Sequence, residues 1–468
     1  MFRAKLNFRI YQVKNKSYSL LKHESIKKYF FNTSWMMFEK ILRMSAGVLV
    51  GIYVARYLGP DQFGVYSYAL TFVTLFVPIS KLGMDGIIVR ELVSHPNQRA
   101  LILRISCWLK LIASFLIFFV IFYSLNWLNK GLNTNLYILI IASGLIFQSF
   151  EVVDFYFQSI TQAKYPSICK VIQLIISSIA KIILVFIQAD LLWFVLITLL
   201  DQFTLGIAYL LMGWQKDVFG VKMFVKSLPI HTESAKTYTS GTDKRDFVFS
   251  FAKSLVVSSW PICLYSLAVS FAMKLDQLII EWIMGVQALG VFSAAIRFVE
   301  VWYFIPVIFG SSFFPYLVNN HDKPHFEKRV LQLFGLNFYA SILIAIGTLL
   351  FGKDILVILY GEAYKPAGDV LVIYTFASIF VFHVSIRSKL LTLRDEQHFS
   401  LWLLILTVML NLVLNLIFIP EYGLVGAAWA ALLSWASNVL VFPLISKRLY
   451  LYLKMFFLSP FFIFKHES

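Results

Sequence analysis

The sequence predicts an all-α integral membrane protein of about 12 transmembrane helices, arranged as two pseudo-symmetric six-helix bundles. Three observations predict this fold: the apolar composition, the spacing of the apolar runs and an internal repeat. Hydrophobic residues make up 59% of the 468 residues and charged residues only 14%, whereas soluble domains carry about 25% charged residues. The mean hydropathy is +0.76. Such a chain cannot cover its surface with polar groups, so we expect a bilayer around it.

Apolar runs of about 20 residues recur along nearly the whole chain, and each can cross a hydrocarbon core about 30 Å thick. Because lipid offers backbone groups no hydrogen-bond partner, each run is expected to be a helix. The predicted spans cover residues 34–58, 64–84, 107–125, 136–157, 168–188, 191–213, 260–284, 290–317, 330–351, 368–389, 399–419 and 424–445. A last apolar stretch, 449–464, is too short to span and contains Lys454, so we expect it to lie along the interface.

The net charge of +16 indicates membrane topology rather than nucleic-acid binding. If the N-terminus is inside, 30 of the 41 Lys and Arg lie in cytoplasmic segments. The opposite loops and span ends hold only Arg56, Lys130, Lys353 and Lys365. This positive-inside bias predicts cytoplasmic termini and an even number of spans. The basic stretch 1–33 is too long for the charged region of a signal peptide, so we expect the mature protein to keep it.

The chain contains an internal repeat. Residues 59–73 align without gaps with residues 285–299, at an offset of 226. Identical residues include Gly59/Gly285 and Gly64/Gly290. Since six crossings return the chain to its starting side, the two halves are expected to be parallel and related by an axis along the membrane normal. The predicted organisation is a basic cytoplasmic segment 1–33, an N-lobe 34–213, a cytoplasmic linker 214–259, a C-lobe 260–446 and an interfacial tail 447–468.

Catalytic and metal sites are not expected. The longest predicted external loop, 351–367, is short, and neither a glycine-rich phosphate loop nor an HExxH helix occurs. Cys107, Cys169 and Cys263 form no CxxC pair, which argues against a zinc site or a disulfide framework. The sequence therefore predicts no enzyme activity, no metal and no cofactor.

Charged residues inside the predicted spans are the main functional candidates, because each costs several kcal/mol unless it faces water or a partner. They concentrate on spans 1, 2, 7 and 8, which predicts a wet, charged cavity between the lobes. Glu39 with Arg43, and Arg297 with Glu300, are spaced to pair on one helix face. For these two pairs a structural role and a functional role are both open.

Lys181 and Lys274 have no acidic residue three or four positions away. We therefore expect an anionic ligand to neutralise them, with water or a partner on another helix as the alternatives. Asp276 lies two residues from Lys274 and so off its face, which makes it the candidate for a carboxylate whose protonation changes during transport.

Two further pairs of residues suggest roles in helix geometry. Pro78 and Pro306 lie at nearly matching depths of spans 2 and 8, where a proline bends a helix and forms either a hinge or a fixed kink. Asn411 and Asn415 share a face of span 11, which predicts hydrogen bonding between helices.

Segments from both halves resemble a known family. Residues 58–69 (LGPDQFGVYSYA) and 82–93 (LGMDGIIVRELV) resemble the opening of the Wzx-type O-antigen flippases. These polysaccharide exporters belong to the MATE-like multidrug/oligosaccharidyl-lipid/polysaccharide superfamily. Later segments resemble it too: 274–295, 359–371 (LYGEAYKPAGDVL) and 419–434 (IPEYGLVGAAWAALLS). Their order and spacing cover most of the chain.

The resemblance implies two six-helix bundles around a central cavity. It also implies alternating access of a polyprenyl-diphosphate-linked oligosaccharide, an O-antigen or capsule repeat unit, from the cytoplasmic to the periplasmic leaflet of the bacterial inner membrane. The implied partners are this lipid-linked cargo and the bilayer, with polysaccharide polymerase machinery as a further candidate and no nucleic acid. Carried onto this chain, the cavity cations are Arg43, Lys81, Lys181, Lys274 and Arg297. Asp276 and Glu300 are the coupling carboxylates, with a proton gradient, a sodium gradient or no coupling left open.

Three alternative functions remain: a drug or metabolite cation antiporter of the same superfamily, a lipid II flippase and a membrane polysaccharide polymerase. An antiporter would favour carboxylates without so many cations. Lipid II flippases resemble a 14-span pattern, and the tail after Arg448 is too short for two further spans. A polymerase would be expected to show a large external loop.

Overall fold

The computed structural model describes residues 2–128, 130–218, 244–319, 326–394 and 396–462, and these residues form helices and short connections. Short 3₁₀ segments at Pro96–Gln98, Ser149–Glu151, Glu362–Tyr364 and Phe442–Ile445 join some of the α-helices. The α-helices are α1 (Phe2–Ser80), α2 (Asp85–Ser94), α3 (Arg99–Leu128), α4 (Leu132–Gln148), α5 (Val152–Ser159), α6 (Lys164–Phe186), α7 (Leu191–Gln215), α8 (Lys244–Met284), α9 (Val286–Trp302), α10 (Phe304–Asn319), α11 (Phe326–Tyr360), α12 (Ala367–Leu393), α13 (Gln397–Leu440) and α14 (Lys447–Phe462).

Within the described residues, ten helical stretches are long and apolar enough to cross a membrane. Two of them, Ser34–Ser94 and His398–Ile445, are 61 and 48 residues long, whereas one crossing needs about 20 residues. Each contains a break in its helix, at Gly59 (φ 67°, ψ 173°) and at Gly423 (φ 61°, ψ −139°). The boundaries predicted between spans 1 and 2 and between spans 11 and 12 fall at these breaks.

The two halves of the repeat share an unusual backbone conformation. Gly285, which aligns with Gly59, has φ 84° and ψ 178° and precedes α9. This region of backbone space is essentially restricted to glycine. The two glycines therefore interrupt the helix in the same way at equivalent points of the repeat.

The second glycine pair brings the two halves into backbone contact. A Cβ atom at Gly64 would lie 1.8 Å from the carbonyl oxygen of Val286, and one at Gly290 would lie 1.9 Å from that of Pro60. Pro60 and Val286 are also equivalent under the offset, so the contact is reciprocal. Small residues permit this close approach of helix backbones in membranes. The sequence repeat is therefore also a repeat in the structure.

Helix α1 connects the two halves of the chain. It packs against α3, α4 and α6 on one side and against α8 and α9 on the other. In the first half α4 also packs on α7, and in the second half α12 packs on α9, α11 and α13. The largest group of buried apolar residues draws on both halves, so the segment after Gly59 lies at the centre of the protein.

Part of the predicted linker is helical, and one cation counted as cytoplasmic is buried. Helix α8 begins at Lys244, inside the predicted linker 214–259, and residues 219–243 of that linker lie outside the described residues. Arg387, which is one of the 30 cations counted as cytoplasmic, lies in α12 and is only 2% exposed. Its guanidinium donates to the carbonyl oxygen of Asn438 at 3.0 Å and to Asn438 Oδ1. The positive-inside count therefore includes one cation that belongs to the interior.

The tail helix α14 packs against α11. Tyr452 is 1% exposed on its buried face, and Tyr339 Oη of α11 donates to the carbonyl oxygen of Pro460 at 3.0 Å. The tail is thus held to the second half of the protein, and its location at the membrane interface stays a prediction.

The two prolines behave differently. Span 8 is divided at Tyr303 into α9 and α10, and Pro306 follows three residues later. Proline cannot donate a backbone hydrogen bond to the residue four positions before it, which accounts for a break there. Pro78 lies inside α1, just before that helix ends at Ser80. The hinge role of both prolines stays a prediction.

Candidate functional site

Several intramembrane charges of the first half are paired across helices. Lys81 Nζ lies 2.6 Å from Glu151 Oε2, and Lys110 Nζ lies 2.6 Å from Asp85 Oδ1. The side chain of Lys110 is only 1% exposed. An unpaired charge at this depth would be costly, so these ion pairs are part of what makes the bundle stable.

Lys181 and Lys274 also have protein partners. Lys181 Nζ lies 3.0 Å from Asp201 Oδ2 on α7, and Lys274 Nζ lies 2.8 Å from Glu300 Oε1 on α9. The alternative of a partner on another helix is therefore what the structure shows, and binding of an anionic ligand by these lysines stays a prediction. These partners are 20 and 26 residues away in sequence, beyond the reach of a helix-face argument.

The Lys274–Glu300 pair leads to a testable prediction. Replacing Lys274 by Ala should lower the thermal stability of the purified protein by about 1 kcal/mol, because Glu300, a third exposed, loses its counter-charge. Adding Glu300→Gln should recover most of that loss. Thermal unfolding in detergent measures both effects, with Lys353→Ala at an exposed ion pair as the control. A double variant as unstable as Lys274→Ala alone would contradict the pairing role.

Arg43 and Arg297 keep donors that are not used by carboxylates. Arg43 Nε donates to Glu39 Oε1 at 2.7 Å, as the spacing predicts, but its buried Nη2 has no hydrogen-bond partner among the described residues. Arg297 does not pair with Glu300. Its guanidinium carbon instead lies 4.6 Å from the ring centre of Phe63, and in the described part of the chain it forms no ion pair. The two arginines can therefore bind an anion.

Four of the five predicted cavity cations line two adjoining cavities. The central cavity, about 270 Å³, lies between α1, α8 and α9 and is lined in part by Lys274, Arg297 and Glu300. The arginine cavity, about 190 Å³, is lined in part by Arg43, Lys181 and Arg297. Arg297 faces both cavities. The fifth cation, Lys81, lies in a further cavity that Arg43 also lines.

Asp276 is a lone buried carboxylate. It is 2% exposed, and it accepts hydrogen bonds from Asn415 Nδ2 at 2.8 Å and Tyr374 Oη at 3.2 Å. Because Asn415 is on α13 and Asp276 is on α8, the predicted hydrogen bonding between helices is confirmed for Asn415, whereas its 3.0 Å contact with Asn411 Oδ1 lies within α13. Nowhere in the described residues do three His, Cys, Asp or Glu side chains gather in a way that could hold a metal ion. Both side chains that donate to Asp276, those of Asn415 and Tyr374, are neutral.

The neutral polar side chains of the cavities were not predicted, because the candidate residues were mainly charged residues inside the spans. Thr71 Oγ1 donates to Gln277 Oε1 at 2.5 Å and joins the two halves beside the central cavity. Gln173 Nε2 donates to Asp201 Oδ1 at 2.8 Å in the arginine cavity. The sequence does contain a signal for some of them: these glutamines lie inside apolar runs, and an amide there also needs a hydrogen-bond partner.

Comparison with known proteins identifies the family. The model of the family described as "Polysaccharide biosynthesis protein" matches residues 30–321, which is more than half of the chain. The chain belongs to the polysaccharide biosynthesis protein family. Two curated relatives of this chain have names that also refer to glycan biosynthesis. It is 22% identical over 428 residues to the capsular polysaccharide biosynthesis protein CapF of Staphylococcus aureus, covering 90% of this chain and 99% of CapF. It is 28% identical over 199 residues to the probable low-salt glycan biosynthesis flippase Agl15 of Haloferax volcanii, covering 42% of this chain and 40% of Agl15.

A solved structure shows which fold this chain adopts. An inward-facing multidrug resistance MATE family transporter of the MOP superfamily matches with a TM-score of 0.66 and 15% identity, covering 89% of this chain and 96% of the other. At this identity the likeness shows the fold alone. The MATE-like fold expected from the resemblance is thereby confirmed, and the cargo has to be argued from the cavities.

Proposed function

We propose that this protein is a flippase that moves a polyprenyl-diphosphate-linked oligosaccharide, an O-antigen or capsule repeat unit, from the cytoplasmic to the periplasmic leaflet of the bacterial inner membrane. The observation that carries the proposal is that the arginine cavity is lined by Arg43, whose buried Nη2 has no hydrogen-bond partner among the described residues, and by Arg297, which forms no ion pair with them. A planar guanidinium binds phosphate oxygens in pairs and keeps its charge. The names of the family and of the relatives CapF and Agl15 support a glycan cargo.

An apolar cleft next to the charged cavities supports a cargo with a lipid tail. The cleft, about 440 Å³, runs between the end of α1 and α8, with Val77, Ile262 and Val269 among its apolar walls and the paired Lys81 and Asp85 at its charged end. Thr74 lines both this cleft and the central cavity. A cargo can therefore keep its diphosphate among the cations while its isoprenoid chain contacts apolar side chains.

We propose twelve spans in two six-helix lobes, 34–213 and 260–446, with both termini cytoplasmic. The helix breaks at Gly59 and Gly423 support two crossings in each of the two longest apolar stretches. The reciprocal contact of Gly64 and Gly290 supports equivalent lobes. The positive-inside bias supports the orientation.

In this orientation the end of the protein that carries Gly59 and Gly285 is external, and contacts between the halves close it. Tyr364 Oη donates to the carbonyl oxygen of Ala55 at 2.6 Å, and Lys130 Nζ lies 2.6 Å from Glu281 Oε1. These contacts support an inward-facing state, in which the cavities are reached from the cytoplasm. Alternating access then requires that they break as the lobes rearrange. A polysaccharide polymerase on the far side is the proposed recipient of the cargo.

Asp276 is the proposed coupling group. A carboxylate enclosed by neutral side chains at membrane depth is costly to keep ionised without a bound cation. Taking up a proton or a sodium ion would neutralise it and change its bonds to Asn415 and Tyr374, which tie α8 to α13 and α12. Glu300 is the weaker candidate, because Lys274 already neutralises it.

Reconstitution tests the function directly. Purified protein in liposomes should move a fluorescent undecaprenyl-diphosphate oligosaccharide between leaflets, read by a membrane-impermeant quencher. We expect the rate to exceed that of protein-free liposomes by at least about tenfold, and a proton or sodium gradient to accelerate it. Asp276→Asn should remove the dependence on the gradient while the protein still inserts and folds.

The alternative functions predict different results in the same liposomes. Transport of a lipophilic cation without movement of the lipid-linked oligosaccharide would identify a drug antiporter. Movement of lipid II alone would identify a lipid II flippase. Elongation of the oligosaccharide would identify a polymerase.

A further inference from the structure

The first half of the protein contains a second polar cavity, which we name the tyrosine cavity. It measures about 360 Å³ and lies between α1, α4, α6 and α7. Its neutral polar walls are Gln148, Gln202 and Tyr209, and its charged walls are Glu39, Lys40, Arg43, Lys81, Glu151 and Lys170. Arg43 and Gln202 also line the arginine cavity, so the two cavities adjoin.

Three buried polar atoms at the tyrosine cavity have no hydrogen-bond partner among the described residues: Tyr209 Oη, Gln148 Oε1 and Arg43 Nη2. Tyr209 as a whole is only 2% exposed. A buried polar atom without a partner costs about 1–3 kcal/mol, and most such atoms in folded proteins are satisfied. These atoms therefore indicate a polar occupant.

The chemistry of the three atoms narrows the class of occupant. Gln148 Oε1 only accepts hydrogen bonds, Arg43 Nη2 only donates them, and Tyr209 Oη can do either. A phosphate offers mainly acceptors and leaves Gln148 unsatisfied, whereas a metal ion cannot satisfy a guanidinium. A sugar carries hydroxyl groups that donate and accept at once. The mixture of donors and acceptors thus fits a saccharide best.

The charged residues around the tyrosine cavity are largely neutralised within the protein. Lys81 is paired with Glu151, and Lys170 Nζ lies 2.5 Å from Asp154 Oδ2. The groups left to face the occupant are the neutral amide and hydroxyl groups, Arg43 Nη2 and the exposed Lys40. The wall is also irregular: α4 ends at Gln148, and the 3₁₀ segment Ser149–Glu151 interrupts this span. Such a segment in the middle of a helix often marks a functional position.

We propose that the tyrosine cavity binds the sugar joined directly to the diphosphate, and that Gln148, Gln202 and Tyr209 determine which sugar is accepted. This inference rests on the proposed function, because a diphosphate held by Arg43 and Arg297 places its first sugar next to the tyrosine cavity. A site built to hydrogen-bond a hydroxyl group discriminates strongly against cargo that lacks it.

The test compares binding of two kinds of probe to the purified full-length protein in nanodiscs. One probe is undecaprenyl diphosphate without a sugar. The others carry one sugar: N-acetylglucosamine, N-acetylgalactosamine, glucose or galactose. At least one of these should bind about tenfold more tightly than the sugar-free probe, as two or three hydrogen bonds allow. Tyr209→Phe and Gln148→Leu, which lie outside the arginine cavity, should each remove roughly three- to tenfold of that gain and leave binding of the sugar-free probe unchanged.

Tyr452→Phe is the matched control, since this tyrosine is as buried as Tyr209 but lies on α14, away from the cavities. It should alter neither affinity. If no sugar improves binding, or if Tyr209→Phe weakens both kinds of probe equally, the sugar site is overturned while the proposed function stands. If the wild-type protein binds neither kind of probe, the proposed function itself fails.

Discussion

Replacing Arg297 by Ala weakens binding of undecaprenyl diphosphate by roughly 10- to 100-fold and slows flipping to a similar extent. Hydrogen bonds to a charged group contribute about 1.5–3 kcal/mol, and each 1.4 kcal/mol is tenfold in affinity. Arg297 has the largest expected effect among the five cavity cations because it forms no ion pair with any described residue and faces both the central and the arginine cavity. Binding to the purified protein and flipping in liposomes measure the two effects.

Two further variants, one conservative and one distant, serve as controls for that result. Arg297→Lys should retain part of the affinity, because lysine keeps the charge but loses the planar pair of donors. Arg448→Ala, at an exposed ion pair with Glu396 far from the cavities, should leave binding unchanged. An Arg297→Ala protein that folds, inserts and binds the diphosphate as tightly as the wild type would refute the role of Arg297.

Replacing Gly64 by Ala destabilises the protein by about 1–3 kcal/mol or more, as expected for atoms forced into a packed contact. The added methyl group would lie 1.8 Å from a backbone oxygen of Val286, and a backbone cannot move aside as a flexible side chain can. Gly290→Ala should cost a similar amount for the reciprocal reason. Thermal unfolding in detergent is the measurement.

Gly47→Ala provides the matched control, because it lies in the same helix α1 and its added methyl group would meet nothing within 4 Å. It should be neutral or slightly stabilising. Combining Gly64→Ala with Gly290→Ala should cost less than the two effects added together, since both disturb one interface. Additive effects would mean that the two glycines act at separate contacts.

Features encoded locally were predictable from the sequence. Apolar runs define helices whatever lies around them, and a glycine with positive φ breaks a helix through its own backbone freedom. Because Gly59 and Gly285 occupy equivalent positions of the sequence repeat, the helix is interrupted at equivalent points of the two halves. The Glu39–Arg43 pair was predictable for the same reason, because both residues lie on one helix face.

Features that depend on how helices meet were not predictable. The partner of Lys181 is on α7, and that of Lys274 is on α9, so only the packing decides between a protein partner and a ligand. Arg387 counts as a cytoplasmic cation in the sequence, because only the packing shows that the end of α13 supplies oxygens for it. The polar lining of the tyrosine cavity likewise depends on residues from four helices.

The glycine contact between the halves also bears on electrical insulation. At Gly64 and Gly290 one backbone lies directly on another, so no side chain has to swing aside and no gap is left for water between the two segments. Ions cross a bilayer readily only through hydrated paths. With one end closed in this way, the cavity can be open to water on the other side of the membrane. Ions would then not leak through the protein, and the membrane potential would be kept.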